Sequence, residues 1–177
     1  MMNWHGLMAE YIHTQVRGDP FWDYRIAQWN GPSEAPFAIH LAVFVEPYLQ
    51  YVLDGKKTVE SRFSVNRCAP YRRVQAGDVI LLKRAGGAVV GICQVAQVWS
   101  YCLAPESWEV IRQDFTEALC AQDPQFWKQR EHASFATLML VRHVRRIKAL
   151  SIPKRDRRGW VVLQERHCET SLFPPGV

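Results

Sequence analysis

Gly55-Lys56-Lys57-Thr58-Val59-Glu60-Ser61-Arg62 is the stretch on which the reading of this chain turns. Ahead of it, AIHLAVFV (38–45) is a short apolar run of β-formers, expected as a buried strand. Glu46-Pro47 then opens a helix with one apolar face, Tyr48, Leu49, Val52 and Leu53. Gly55 is placed as the C-terminal cap of that helix, since glycine takes the left-handed conformation that other residues resist. From Lys57 to Ser64 the chain alternates like a strand, so Glu60 and Arg62, two apart, share a face, and Thr58 shares the face of Glu60. Lys57 lies in the turn and can reach over the same face. A lysine, a carboxylate and an arginine converging on a groove can hold a phosphate or transfer a proton. Without a groove, the same residues are a structural ion pair and a solvated lysine.

Further along the chain, Gly77-Asp78 makes a turn before the strand VILLKR (79–84), and Gly86-Gly87 turns the chain into a longer strand, AVVGICQVAQVW (88–99). Gly91 within it marks a bulge. Residues 105–131 read as helical, with Trp108, Ile111, Phe115 and Leu119 at three-to-four spacing and Pro124 starting a second piece. TLMLVRHVRRI (137–147) and GWVVLQE (159–165) close as strands. Strands in antiparallel-type succession with few helices give an α+β fold, a small mixed β-barrel with flanking helices. Residues 1–36 read as a helical N-terminal extension. Leu7, Met8, Tyr11 and Ile12 mark one helix, Gly18-Asp19-Pro20 breaks it, and Phe21, Trp22, Ile26 and Trp29 mark a second. The division expected is therefore 1–36 as extension and 37–177 as domain.

The 177 residues are 48% apolar and 22% charged, as in ordinary globular proteins, which excludes disorder, collagen and coiled coil as descriptions of the whole chain. No apolar run approaches the roughly 20 residues of a membrane span, and the N-terminus lacks the pattern of a signal peptide. Five cysteines, an odd number with no CxxC, point to reduced thiols and a cytoplasmic location, with no metal site and no cofactor expected. The net charge of +5 is unevenly spread. Residues 37–104 carry eight basic against four acidic side chains and 132–177 nine against three, flanking a segment, 105–131, with three against six. Such segregation makes a positive face for phosphates if the basic segments meet in space, and cancels if they interleave.

The pattern GxKxxExR after a strand and a helix resembles the ASCH domain family of the PUA-like superfamily. Gly55, Lys57, Glu60 and Arg62 meet its fixed positions, and Gly77-Asp78-Val79-Ile80 matches the strand that follows. The resemblance covers roughly residues 37–165. It implies a small PUA-like β-barrel and a cleft beside the motif for RNA or a modified nucleoside. It also implies an enzymatic alternative in that cleft, since some members are ribonucleases and others are amidohydrolases that deacetylate N4-acetylcytidine. The amidohydrolase members share the motif lysine, Lys57, but carry a threonine where this chain has Glu60, and a further glutamate that corresponds to Glu106, Glu109 or Glu117. A carboxylate cannot stand in for a hydroxyl nucleophile without a change of mechanism, so deacetylation is the less favoured alternative.

The candidate site residues are accordingly Lys57 and Glu60 for catalysis, and Arg62, Thr58, Arg72, Arg73, Trp99 and Tyr101 for nucleic-acid or ligand binding. Trp99 and Tyr101, at a strand end, are the candidates for base stacking, which contributes roughly 1–3 kcal/mol per base. Arg72 and Arg73, in the loop after the motif, and KRDRRG (154–159) are candidate phosphate contacts or a solubility surface. His132 and His143 have the chemistry for acid–base cleavage of RNA, but nothing in their spacing pairs them. The extension with Trp4, Trp22 and Trp29 is expected to pack on its own barrel, with docking of a protein partner as the alternative.

Overall fold

In the computed structural model, residues 4–29, 35–152 and 158–166 are described. The chain runs α1 (Trp4–Val16), α2 (Pro20–Trp29), β1 (Ile39–Phe44), α3 (Tyr48–Leu53), β2 (Val59–Ser64), β3 (Val79–Arg84), β4 (Val89–Cys102), α4 (Pro105–Phe115), α5 (Pro124–Lys128), β5 (Phe135–Leu150) and β6 (Trp160–Gln164). The six strands form one sheet in the order β2-β5-β4-β3-β1-β6. It is a mixed α+β fold, with the sheet curled into a half-barrel.

The strand pairs are antiparallel except one: β1 and β3 run parallel, Ile39 beside Val79 through Phe44 beside Arg84. The antiparallel succession read from the sequence fails at this pair, because the chain between them leaves through α3 and lays β2 against β5 at the far edge. β4 and β5 are longer than their apolar runs, since Ser100, Tyr101 and Cys102 continue the ladder opposite Thr137, Ala136 and Phe135. Three register shifts break their ladder, near Val89–Gly91, Ile92–Gln94 and Val95–Gln97. At the second, β5 carries an extra residue and His143 sits at φ 52°. Bulges of this kind increase local twist and let long strands curl.

Gly91 is needed for another reason. A Cβ there would lie 2.6 Å from Leu53 Cδ2, 3.1 Å from Leu82 Cδ1 and 3.2 Å from the Arg145 carbonyl oxygen. Its absence lets α3 pack onto β4. Gly55 adopts φ 73°, as expected of the cap.

Alternation along β1 and β3 sorts the core onto two faces. Ile39, Leu41, Val79 and Leu81 meet Met8, Ile12, Val16, Trp22 and Ile26 from α1 and α2. Ala42, Phe44, Ile80 and Leu82 line the concave face with Leu49, Val52, Cys93, Met139 and Trp160. A third cluster, Val59, Ile111, Leu119, Phe126 and Leu138, lies under α4 and α5. Trp22 is fully buried and Trp29 only 8% exposed. The Trp22 indole donates to the His143 carbonyl at 2.9 Å, the Phe21 ring stacks on that of His143 at 3.7 Å, and Arg145 pairs with Asp19 at 2.6 Å. These tryptophans are spent on the protein's own sheet. The Trp4 side chain lies outside the described residues.

Candidate nucleic-acid site

The helix cap delivers the motif. Gly55 turns the chain, and the amides of Lys56 and Lys57 both donate to the Tyr51 carbonyl (2.9 and 3.0 Å). The amides of Thr58 and Val59 both donate to the Ala118 carbonyl at 3.1 Å, which clamps the entry to β2 against the segment after α4. Lys57 is thereby turned inward and is 2% exposed. Its ammonium donates to the Val59 carbonyl oxygen at 2.5 Å and lies 3.3 Å from Glu60 Oε2. Glu60 Oε1 in turn lies 2.9 Å from Arg62 Nε. That last contact is an ion pair rather than an aligned hydrogen bond, since the Arg62 Nε–H has no hydrogen-bond partner. Burial lowers the pKa of Lys57, the positive charge of Arg62 adds to the fall, and Glu60 opposes it. Cys93, behind Glu60, has its thiol pKa pushed far up by burial and by that carboxylate, which removes it as a nucleophile.

Arg62 carries the triad to the surface. Its guanidinium lies over the rings of Phe44 (5.0 Å) and Trp160 (5.3 Å), and its Nη1 donates to the Gly159 carbonyl at 3.2 Å. It thus bridges the free edges of the half-barrel, β2 on one side and β6 on the other. Beside it is a cavity of about 200 Å³ lined by Arg62, Ser64, Tyr71, Thr137, Gly159 and Trp160. Next to it, sharing Cys68, Ala69, Tyr71 and Trp160 as lining, is an outer chamber of about 410 Å³ rimmed by Arg67, Arg73, Arg158 and Glu165. Together they form one groove along the seam. Of the three motif side chains, only Arg62 lines it; Lys57 and Glu60 lie behind.

One wall is held by a buried polar chain. The Trp160 indole, which can only donate, gives its N–H to His40 Nδ1 at 3.2 Å. His40 is therefore the neutral tautomer with its proton on Nε2, donating to Asp78 Oδ2 at 3.0 Å. Asp78 also accepts from the amides of Ala38 (2.9 Å) and Gln75 (2.8 Å) and pairs with Arg166 at 2.6 Å. The aspartate of the Gly77-Asp78 turn, read from sequence as a turn residue, is thus the anchor of this network.

The other candidates fall in different places. Thr58 precedes β2 rather than lying in it, and is exposed where Glu60 is buried. Trp99 and Tyr101 pair with Leu138 and Ala136, whereas Arg62 and Glu60 pair with Thr137 and Met139. The two aromatic rings are therefore on the opposite face of the sheet, Trp99 against Phe115 at 4.9 Å. A one-residue offset in a strand is enough to send a side chain to the other side. Arg73 lines the outer chamber and pairs with Glu165, while Arg72 lies over Tyr71 (5.5 Å), exposed. Glu106, Glu109 and Glu117 are exposed, and among the described residues no hydrogen bond or ion pair joins them to the triad. His132 and His143 are not in the groove. Of KRDRRG, Lys154 to Arg157 lie outside the described residues.

One residue of the groove, Thr137, went unread in the sequence, and two aromatic residues, Tyr71 and Trp160, matter more than Trp99 and Tyr101, the rings favoured for stacking. Thr137 is 1% exposed, sits opposite Arg62 and is among the residues that line the inner cavity. A threonine in an apolar strand gives no signal of this. Tyr71 and Trp160 supply the aromatic walls; Trp160 reads from sequence as core, which its 4% exposure matches, yet one edge lines the groove.

Comparison with solved structures identifies the fold of this curled mixed sheet. The ASCH protein of Zymomonas mobilis superposes with a TM-score of 0.53 at 16% identity, over 64% of this chain and 73% of that one. Two point mutants of the same protein superpose with TM-scores of 0.51, also at 16% identity, over 64% and 63% of this chain and 76% and 72% of theirs. The fold is ASCH-type. No family model and no curated protein matches the sequence. Among the described residues, no helix is long and apolar enough to cross a membrane.

Proposed function

We propose that this protein binds single-stranded RNA in the seam groove, with one nucleotide entering the inner cavity and stacking on the Arg62 guanidinium. The observation that carries this reading is the junction of that cavity with an arginine-rimmed chamber. Single-stranded RNA is held by stacking of splayed bases on aromatic rings or arginine planes, and by cations along the backbone. Arg62 already lies over the rings of Phe44 and Trp160. Lys57 and Glu60 act as positioning residues that fix its orientation, and Thr137 offers a hydroxyl to the edge of the base. Likeness of fold to an ASCH protein supports the reading by analogy only.

The test uses an end-labelled mixed-sequence single-stranded RNA with wild type, Arg62→Lys and Thr137→Val, run on native and denaturing gels. Lysine keeps the charge but loses the plane and the fork, so Arg62→Lys is expected to weaken binding by about 1–2 kcal/mol, roughly five- to thirtyfold. Binding equal to wild type would sink the stacking role. Binding without cleavage is the expected result. Strand scission that Thr137→Val abolishes would instead make the groove a ribonuclease site. N4-acetylcytidine is the second ligand to try. Cys68 lines both chambers and is exposed, so bound RNA is expected to slow its alkylation.

A further inference from the structure

We propose that the outer chamber is a phosphate subsite, and that its occupant in the free protein is the carboxylate of Glu165. The inference rests on the groove binding RNA, and adds that the ligand is recognised through a phosphate, not as a free nucleoside. Arg67, Arg73 and Arg158 line the chamber, and among the described residues Glu165 is the one acidic side chain that lines it. Glu165 pairs with Arg73 Nη2. Arg73 is held from behind by its amide, which donates to the Pro70 carbonyl at 2.9 Å. The Arg67 guanidinium lies 5.3 Å over the Phe135 ring. Stacking on a ring occupies a face of the guanidinium and leaves the N–H edge for an anion.

Glu165 follows the last paired residue of β6, so no ladder hydrogen bond holds it in place. The side chains of Arg73 and Glu165 are 56% and 65% exposed. Ion pairs that open to water are weak and exchange readily. A phosphodiester offers the same acceptor geometry and can be gripped by two arginines at once. Arg158 immediately precedes Gly159, whose carbonyl is held by Arg62, so the two chambers meet within one residue of chain. A nucleotide whose base is in the inner cavity thus has its phosphate at the arginines, and Glu165 swings out to solvent. Glu165 competes with the ligand for Arg73 and sets the affinity of the groove.

Fluorescence anisotropy of a labelled single-stranded RNA between 50 and 200 mM salt tests this. Glu165→Gln is expected to tighten binding about fivefold, roughly the worth of one released rim pair. Arg73→Gln is expected to weaken it and to flatten the log–log salt slope by about 0.7, one phosphate contact on a single strand. In the double variant the gain from Glu165→Gln should vanish, because the competitor has nothing left to mask. Glu10→Gln, on α1 outside the groove, removes the same charge and should change affinity far less. A gain from Glu165→Gln that survives without Arg73, or that Glu10→Gln reproduces, overturns the proposal. RNA binding that depends on Arg62 but ignores both Glu165 and Arg73 overturns the subsite and leaves the groove reading standing. No RNA binding by wild type overturns both. Arg73 and Glu165 are exposed, so circular dichroism should show the variants folded.

Discussion

Burying an ammonium group costs several kcal/mol unless its partners offset the loss of water, and Lys57 is met by the Val59 carbonyl and Glu60. Removing Lys57 leaves Glu60 buried with one ion-pair partner, Arg62, where it had two. Lys57→Ala is expected to destabilise the fold by about 3–5 kcal/mol in urea denaturation, and Lys57→Met with Glu60→Leu together by clearly less. A double variant as unstable as the single would show that the pair itself is not the source of the loss. The pH dependence has a definite sign. Burial holds the folded pKa of Lys57 below its ordinary 10.5, so between the two values the native state binds fewer protons than the unfolded chain. Stability therefore rises with pH through that window, and the penalty is present in full below the folded pKa. Lys57→Met has no such proton, so the stability of wild type relative to this variant should climb as the pH rises toward 10.5. The residue types of this triad are legible in the sequence as a motif, and the sharing of a face by Glu60 and Arg62 follows from strand periodicity. The burial of Lys57 is not legible, because the Ala118 carbonyl that clamps the strand comes from a segment some sixty residues away.

At the scale of elements, local pattern explains most of what is seen. The capped helix α3, the turn at Gly77, the two-part helical stretch begun again at Pro124, and β6 all follow from propensities and breakers within a few residues. Pairing partners are another matter. Nothing local shows that β1 runs parallel to β3, or that bulges let β4 and β5 continue past their apolar runs. The face assignment of Trp99 and Tyr101 shows the cost of this: once β4 is known to pair with β5 in the observed register, their side is fixed, and before that it is open. Gly91 is where helix and strand meet most closely. Gly91→Ala places a methyl group between Leu53, Leu82 and the Arg145 carbonyl. It is expected to cost about 1–3 kcal/mol by overpacking, read as a lower urea midpoint. Leu53→Ala should recover part of that loss in the double variant, since Leu53 makes the shortest contact. No recovery would mean that the backbone carbonyl of Arg145, which cannot yield, sets the cost.

For the whole molecule, α1 and α2 belong to the core on one face of the sheet and the groove belongs to the opposite edges. Trp22→Ala is expected to cost about 3–5 kcal/mol through the loss of a fully buried ring and its bond to His143. A chain without residues 1–36 should expose Ile39, Leu41, Val79 and Leu81 and aggregate, visible in size-exclusion chromatography; a monomeric, cooperatively folding product would mark the extension as dispensable. The groove itself joins residues 97 positions apart, Arg62 and Gly159. Its second wall, Trp160 to Arg166, is the last of the described chain to be made. During synthesis the N-terminal part of a chain folds first. Arg62 therefore has no Gly159 carbonyl to hold until 97 further residues have been added, so the seam of the half-barrel is the last part of the described sheet to close.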